Sequence, residues 1–208
     1  MVLLGIIISY LLGSIPTAYI FGRILKGIDI RKFGSGNVGA TNAFRLLGLS
    51  WGVVVLVLDI LKGLISVTLL ANYFLNFWDG SGVILRIIFG IACICGHNWS
   101  IFLQLKGGKG VATSLGILTG LGITVTGLRL IISLVILIWL IVFLAFRIVS
   151  LASVLSAISL PLFMFIFNAS KELLILGIIL SIIIILRHKK NLSGLFRGKE
   201  HPLSPKGR

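Results

Sequence analysis

The sequence predicts an all-α, polytopic membrane protein, and three observations carry that prediction. Hydrophobic residues make up 58% of the 208 residues and charged residues only 12%, about half of the roughly 25% charge usual in a soluble domain. The mean hydropathy is +1.16. The apolar residues gather into runs close to the ~20 residues that a spanning helix needs, and the basic residues fall in the short gaps between them. A net charge of +14 is therefore read as membrane topology. Nucleic-acid binding is set aside, because it requires a soluble basic face.

Taken in order, the runs predict seven transmembrane helices: Val2–Leu25, Trp51–Phe74, Val83–Leu103, Val111–Gly127, Leu128–Phe146, Val149–Phe167 and Leu173–Leu186. The stretch Met1 to Leu12 has no positive leading region and no small-residue cleavage site, so it reads as a retained first span, not a removed signal peptide. The fourth and fifth runs meet at Thr126-Gly127-Leu128-Arg129, which demands a tight turn between two short helices, and the seventh run is also short. Five or six spans are the rival counts. Charge separates them. With seven spans, one set of gaps holds fifteen of the nineteen basic residues: Arg23, Lys26, Arg31, Lys32, Arg45, Lys106, Lys109, Arg147, Arg187, Lys189, Lys190, Arg197, Lys199, Lys206 and Arg208. The opposite gaps hold Arg86, Arg129 and Lys171, and Lys62 lies inside a span. The positive-inside rule then puts the N-terminus outside and the C-terminus in the cytoplasm. The expectation is a single integral membrane domain over residues 1–208. Cys93 and Cys95 lie within an apolar run without zinc-ligand spacing and read as small buried apolar residues.

Three polar segments fall on the cytoplasmic side. The first is Gly34-Ser35-Gly36-Asn37-Val38-Gly39-Ala40-Thr41-Asn42, followed by Arg45. It contains G-x-G-x-x-G, with Asp59 downstream, but a dinucleotide fingerprint follows a buried strand, and here a spanning helix precedes it. What remains is the physics of the motif. Glycines let successive N–H groups converge on an anion, Thr41 or Asn42 is expected to cap the helix that follows, and Arg45 offers a bidentate phosphate ligand. The second segment is Gly96-His97-Asn98-Trp99-Ser100, then Lys106-Gly107-Gly108-Lys109-Gly110-Val111-Ala112-Thr113. It is not a Walker loop, because Gly110 follows Lys109, yet two lysines flanking a glycine pair suit a phosphate cradle. The third segment, Arg187-His188-Lys189-Lys190-Asn191-Leu192-Ser193-Gly194 through Gly198-Lys199-Glu200, reads equally well as site residues or as a basic tail attracted to anionic headgroups. Within the second span, Asp59 and Lys62 stand three residues apart on one helix face. A pair stabilising the bundle interior is preferred there, with a transporter-like coupling pair as the alternative.

These three ordered motifs resemble the bacterial acyl-phosphate-dependent glycerol-3-phosphate acyltransferases. The likeness runs from the first span almost to the C-terminus, with the stretch from Gly34 to Arg45 as the first motif, Lys106 to Thr113 as the second, and Arg187, His188, Asn191, Gly198 and Glu200 as the third. Arg147 with Val149-Ser150-Leu151-Ala152-Ser153 adds a fourth matching segment. Two positions depart from the pattern: Ser100 stands where proline is usual and Gly194 where arginine is common. The resemblance implies transfer of a fatty acyl group from acyl phosphate to glycerol 3-phosphate, giving lysophosphatidic acid and phosphate for phospholipid synthesis, at the cytoplasmic face of the bacterial inner membrane. It implies no cofactor and no metal, and no direct use of acyl-CoA or acyl carrier protein. None of His97, His188 or His201 begins a His-x4-Asp, the signature of thioester-using acyltransferases. Carried over as catalytic are Ser35, Arg45, Lys109, His188 and Asn191, and as substrate-binding Asn37, Thr41, Asn42, Lys106, Gly107, Gly108 and Ser150.

Only five carboxylates exist (Asp29, Asp59, Asp79, Glu172 and Glu200), and none forms a loop pair suited to acid–base work. His188 is a candidate base, but its neighbours are basic. The preferred expectation is substrate assistance, in which a phosphate oxygen accepts the hydroxyl proton while Lys, Arg and Asn stabilise charge. The rival from another class is a transporter of a phosphorylated metabolite. Transport sites usually sit at the bilayer midplane between repeats, whereas these motifs share one face.

Overall fold

The computed structural model describes residues 1–198, apart from the side chain of Phe196, and every regular element among them is helical. Lys199, Glu200, His201, Lys206 and Arg208 lie outside the described residues. Two compact units are present: one is Met1–Ile117 and the other begins at Leu118.

In the first unit, the expected opening span is not continuous. It consists of α1, Val2–Ser14, and α2, Thr17–Lys26. Pro16 explains the break, because proline has no N–H to donate and its ring pushes the preceding residue, Ile15, out of the helical region. Ile15 has φ −56° and ψ 115°. Next come α3, Ala40–Leu47, and α4, Leu49–Ile65. The latter continues through one wide turn of π-helix, Ser66–Leu70, into the short α5, Ala71–Phe74. Arg86 steadies that turn, its Nη1 donating to the Val67 carbonyl at 2.5 Å and its Nη2 to Asn72 Oδ1 at 2.6 Å. Arg86 belongs to α6, Gly82–Asn98. α7, Val111–Thr124, begins in the same unit.

Small residues let these helices approach closely, as membrane helices do when backbone contact replaces the hydrophobic drive. A Cβ on Gly13 of α1 would strike the Cys93 backbone of α6, and a Cβ on Gly96 would strike the Tyr10 carbonyl of α1. Between these contacts the Ser9 hydroxyl bonds that of Ser66 and donates to the Phe89 carbonyl at 2.6 Å. Gly63 and Gly116 do the same for α4 and α7, where a Cβ would meet Thr113 O and Ile60 O respectively. Phe74 and Phe89 pack edge to face within one cluster of buried residues, and Ala18, Ile30, Val38, Ala43, Val55 and Leu103 form another. Cys93 is buried and Cys95 half-buried, both as free thiols.

The second unit contains α8, Gly127–Phe146, α9, Val149–Ile166, α10, Lys171–Arg187, and α11, Lys189–Phe196. α9 packs between α8 and α10, and α11 folds back against both α9 and α10. Arg147 ends α8 in the left-handed conformation, with φ 57°. Trp139 Nε1 donates to Ser153 Oγ at 3.3 Å across the α8–α9 seam.

Among the described residues, five helical stretches are long and apolar enough to cross a membrane: Val2–Lys26, Leu49–Phe77, Gly82–Leu103, Gly127–Phe146 and Val149–Ile166. The other two expected spans are also helical, but α7 has 14 residues and α10 has 17. At 1.5 Å per residue they reach about 21 and 26 Å, short of a hydrocarbon core of about 30 Å.

The α1–α6 contact gives a direct test. Gly96→Val has to push apart two backbones, since even the added Cβ would lie 2.9 Å from Ser14 N and 3.0 Å from its Oγ. Overpacking of this kind costs about 1–3 kcal/mol, to be seen as a lowered Tm in detergent. Gly127→Ala, where an added Cβ meets nothing within 4 Å, leaves Tm unchanged.

Candidate active site

The first polar segment is shaped from within. Asp29 caps a short turn, Ile30–Lys32, accepting from Arg31 N at 3.1 Å. The Arg31 guanidinium grips the same carboxylate through Nε at 3.0 Å and Nη2 at 2.8 Å, and Arg23 stands 4.0 Å away. Both arginines lie over the Tyr19 ring. The chain then turns through Gly34 and Gly36, whose φ values of 58° and 70° favour glycine. The centre of the loop is Asn42. Its Nδ2 donates to the carbonyls of Ile30 and Phe33 at 3.1 and 3.2 Å, and its Oδ1 accepts from Ser35 N at 3.0 Å.

That arrangement corrects the expectation that Thr41 or Asn42 caps the following helix. α3 begins at Ala40 with Gly39 in the cap position and no side-chain cap. Asn42 is inside the first turn, and its carboxamide is turned backwards to hold the loop. The side chain is buried, so its contribution is to fix Ser35, which is exposed at the rim. Asn37, Thr41 and Arg45 are half-buried, and Arg45 lies in the last turn of α3.

The second segment folds back on the end of α6. Gly107 N donates to Asn98 O at 3.1 Å and Gly108 N to His97 O at 2.9 Å. A Cβ on Gly107 would enter the His97 carbonyl, and one on Gly108 the His97 ring, so this contact requires two glycines. The approach passes through Gln104 and Leu105 with φ of 54° and 62°, a conformation uncommon for residues with a Cβ. Such local strain concentrates at functional loops. Gly110, at φ 82°, leads into α7. Lys106 is exposed and Lys109 half-buried. The Asn98 side chain is fully buried, and neither its Oδ1 nor its Nδ2 has a hydrogen-bond partner among the described residues.

The two loops share a border. A small polar cavity, with room for about one water, is lined by Val38 of the first loop, by Gly107 and Gly108 of the second, and by Asp59, Lys62 and His97 beneath them. Lys62 Nζ and Asp59 Oδ1 are 2.7 Å apart, and both residues are at least 95% buried. Lys62 also donates to the Ile15 carbonyl freed by the Pro16 break, and Thr17 Oγ1 donates to Asp59 Oδ1 at 2.7 Å. His97 Nδ1 is 3.8 Å from the same carboxylate oxygen. Ser100 donates to the Ser14 carbonyl at 2.5 Å. The serine that departs from the motif thereby satisfies the other carbonyl exposed at the break.

In the second unit, Ser150 is buried in the first turn of α9. His188 stands at the joint between α10 and α11, with Asn191 in the first turn of α11. His188 Nδ1 lies 2.8 Å from the Ile184 carbonyl. A carbonyl only accepts, so Nδ1 carries a hydrogen and Nε2 is the ring nitrogen left to face other partners.

A family model described as glycerol-3-phosphate acyltransferase matches residues 3–198. The chain belongs to the glycerol-3-phosphate acyltransferase family. Relatives of that name include one from Prochlorococcus marinus (strain NATL1A), 43% identical over 95% of this chain and 96% of its own, and one from Fusobacterium nucleatum, 39% identical over 94% and 95%. Two crystal structures of PlsY, an integral membrane glycerol 3-phosphate acyltransferase, also match. Its glycerol 3-phosphate form aligns with TM-score 0.84 and its lysophosphatidic acid form with 0.81, each at 38% identity over 98% of this chain and 96% of that one. This chain is thus a membrane enzyme of the same family.

Reading the sequence alone passed over the layer beneath the loops. Thr17, Ser100 and His97 each engage partners more than 35 residues distant, and no local spacing announces such contacts. The one available signal was the glycine pair 107–108, which requires something close behind it.

The first loop generates a pH prediction. The Asp29 carboxyl is lowered from 3.8 to about 2, chiefly by the Arg31 side-chain hydrogen bond, which with the Arg31 N–H and the nearby arginine charges overcomes the opposing effect of burial. A carboxylate with a depressed pKa contributes stability that is complete above its unfolded value and lost as pH falls through its folded one. The stability advantage of wild type over Asp29→Asn is therefore constant above about pH 4 and disappears between there and about pH 2, as melting curves at stepped pH will show.

Proposed function

We propose that this enzyme transfers a fatty acyl group from acyl phosphate to the 1-hydroxyl of glycerol 3-phosphate, releasing lysophosphatidic acid and inorganic phosphate. The observation that carries this reading is that two glycine-rich loops border one small cavity, through Val38 of the first and Gly107 and Gly108 of the second, in a chain of the glycerol-3-phosphate acyltransferase family. Acyl phosphate and glycerol 3-phosphate both bring a phosphate, and two loops can hold two phosphates. The donor is a mixed anhydride whose leaving group departs readily, which fits a chain with five carboxylates and no His-x4-Asp. Acyl-CoA and acyl carrier protein take no direct part, nor does nucleic acid.

Ser35, Arg45, Lys109, His188 and Asn191 act on the reacting groups, with Asn37, Thr41, Lys106, Gly107, Gly108 and Ser150 binding substrate and Asn42 serving through the loop it organises. The hydroxyl oxygen attacks the acyl carbonyl carbon, the bond from that carbon to the phosphate oxygen breaks, and a phosphate oxygen takes the hydroxyl proton. Fixed donors and cations stabilise the oxyanion. His188 is the competing base, oriented by Ile184.

The whole chain acts as one domain with seven spans, its N-terminus outside and C-terminus in the cytoplasm, in the bacterial inner membrane. The asymmetry of fifteen basic residues to three supports that orientation, and the loops then face the cytoplasm. A transporter reading leans on Asp59 and Lys62, but that pair is engaged with Thr17 and Ile15.

Phosphate release by purified protein given palmitoyl phosphate and glycerol 3-phosphate is the test. Release requires both substrates, is not supported by palmitoyl-CoA, and falls at least about 100-fold in Arg45→Ala, the range expected when a stabilising cation is removed. Absence of turnover in folded protein overturns the assignment. His188→Gln distinguishes the two proton routes: abolished turnover with intact glycerol 3-phosphate binding favours a protein base, and residual turnover favours the phosphate oxygen.

A further inference from the structure

We propose that His97 is a positioning residue for the phosphate loop Lys106–Lys109, held under Gly108 by the buried Asp59 carboxylate. The inference rests on the acyltransferase reading above and adds a residue that the motifs do not assign. His97 lies in the last helical turn of α6, buried, and touches the loop in two ways. Its carbonyl accepts from Gly108 N at 2.9 Å. Its ring forms the floor of the loop, because a Cβ on Gly108 would meet Nε2 and lie 2.9 Å from Cε1 and 3.0 Å from Cδ2. The opposite edge of the ring, Nδ1, faces Asp59 Oδ1 at 3.8 Å. The carboxylate is fixed by Thr17 and Lys62, and Lys62 is fixed to the α1–α2 break at Ile15.

A histidine that only filled space would do so at lower cost as an apolar side chain, since a buried polar ring needs partners for its polarity. Here the polar edges point at a carboxylate on one side and at the phosphate loop on the other. The carboxylate faces the Nδ1 edge at 3.8 Å, longer than a hydrogen bond, and limits how the ring can turn. Lys106 and Lys109 flank the point of support. Gly108 covers the ring, so His97 acts through the loop and not on the reacting atoms.

The test is steady-state kinetics on the full chain in detergent, with folding checked by gel filtration. Wild-type turnover of palmitoyl phosphate and glycerol 3-phosphate is the control, and its absence defeats the acyltransferase reading itself, not this inference alone. With wild type active, His97→Ala raises the KM of at least one phosphorylated substrate about tenfold or more while kcat changes less than about threefold, the pattern of lost binding. His97→Gln, which restores a polar side chain, recovers most of that loss. Gly108→Ala raises the same KM, and the His97→Ala/Gly108→Ala double variant is no worse than the poorer single one, because the added methyl no longer meets a ring. Unchanged KM values, a fall in kcat alone, or losses that multiply in the double variant would overturn the proposal. Should His97→Ala fail to fold, His97→Leu, which keeps bulk beneath Gly108 but removes the polar edges, takes its place, with an unchanged KM as the contrary result.

Discussion

The first unit depends on one buried contact, the capture of the Ile15 carbonyl by Lys62. Pro16 breaks the opening helix inside an apolar bundle, and the Ile15 carbonyl keeps one backbone donor, Thr17 N at 3.1 Å. Lys62 adds a second donor to that carbonyl, but an ammonium there is itself expensive. Asp59, one turn earlier on the same helix, neutralises it at 2.7 Å. Each element is costly alone and tolerable together. The break also lets α2 leave the line of α1 and bring Ala18 under the first loop, where it joins Ile30 and Val38.

The two loops differ in how they are held. The first is organised by side chains: Asn42 gathers three backbone groups, and Asp29 with Arg31 secures its approach. The second is organised by backbone, with Gly107 and Gly108 laid directly on the carbonyls of Asn98 and His97. In the first, the Ser35 and Gly36 N–H groups are used inside the loop, bonded to Asn42 Oδ1 and to the Phe33 carbonyl. A loop built on backbone contact presents what flanks it, here Lys106 and Lys109.

Much of this was legible in the sequence. The apolar runs marked where the helices lie, because burial in a bilayer leaves helices as the simplest way to pair backbone groups, and five of the helical stretches among the described residues are long and apolar enough to cross a membrane. The i,i+3 spacing of Asp59 and Lys62 identified their pairing, and the glycine-rich segments identified the loops. Local spacing failed where contacts are long in sequence. It assigned Thr41 or Asn42 to a helix cap because such residues usually cap, whereas the carbonyls of Ile30 and Phe33, brought close by the Gly34 and Gly36 turns, compete for the Asn42 amide. It placed a continuous helix across Pro16, because hydropathy does not register a missing N–H.

The π turn at Ser66–Leu70 has a consequence for comparing this chain with its relatives. Such a turn holds one residue more than a regular helical turn, and one residue rotates everything beyond it by about 100°. Asp59 and Lys62 before the turn, and Ala71 and Phe74 after it, face their own neighbours only because of that offset. A relative with an unbroken helix here would have to be aligned with a gap in the middle of a transmembrane segment, where gaps are ordinarily forbidden. Placed in the adjoining loop, the gap would match the wrong faces of the helix along the whole intervening stretch.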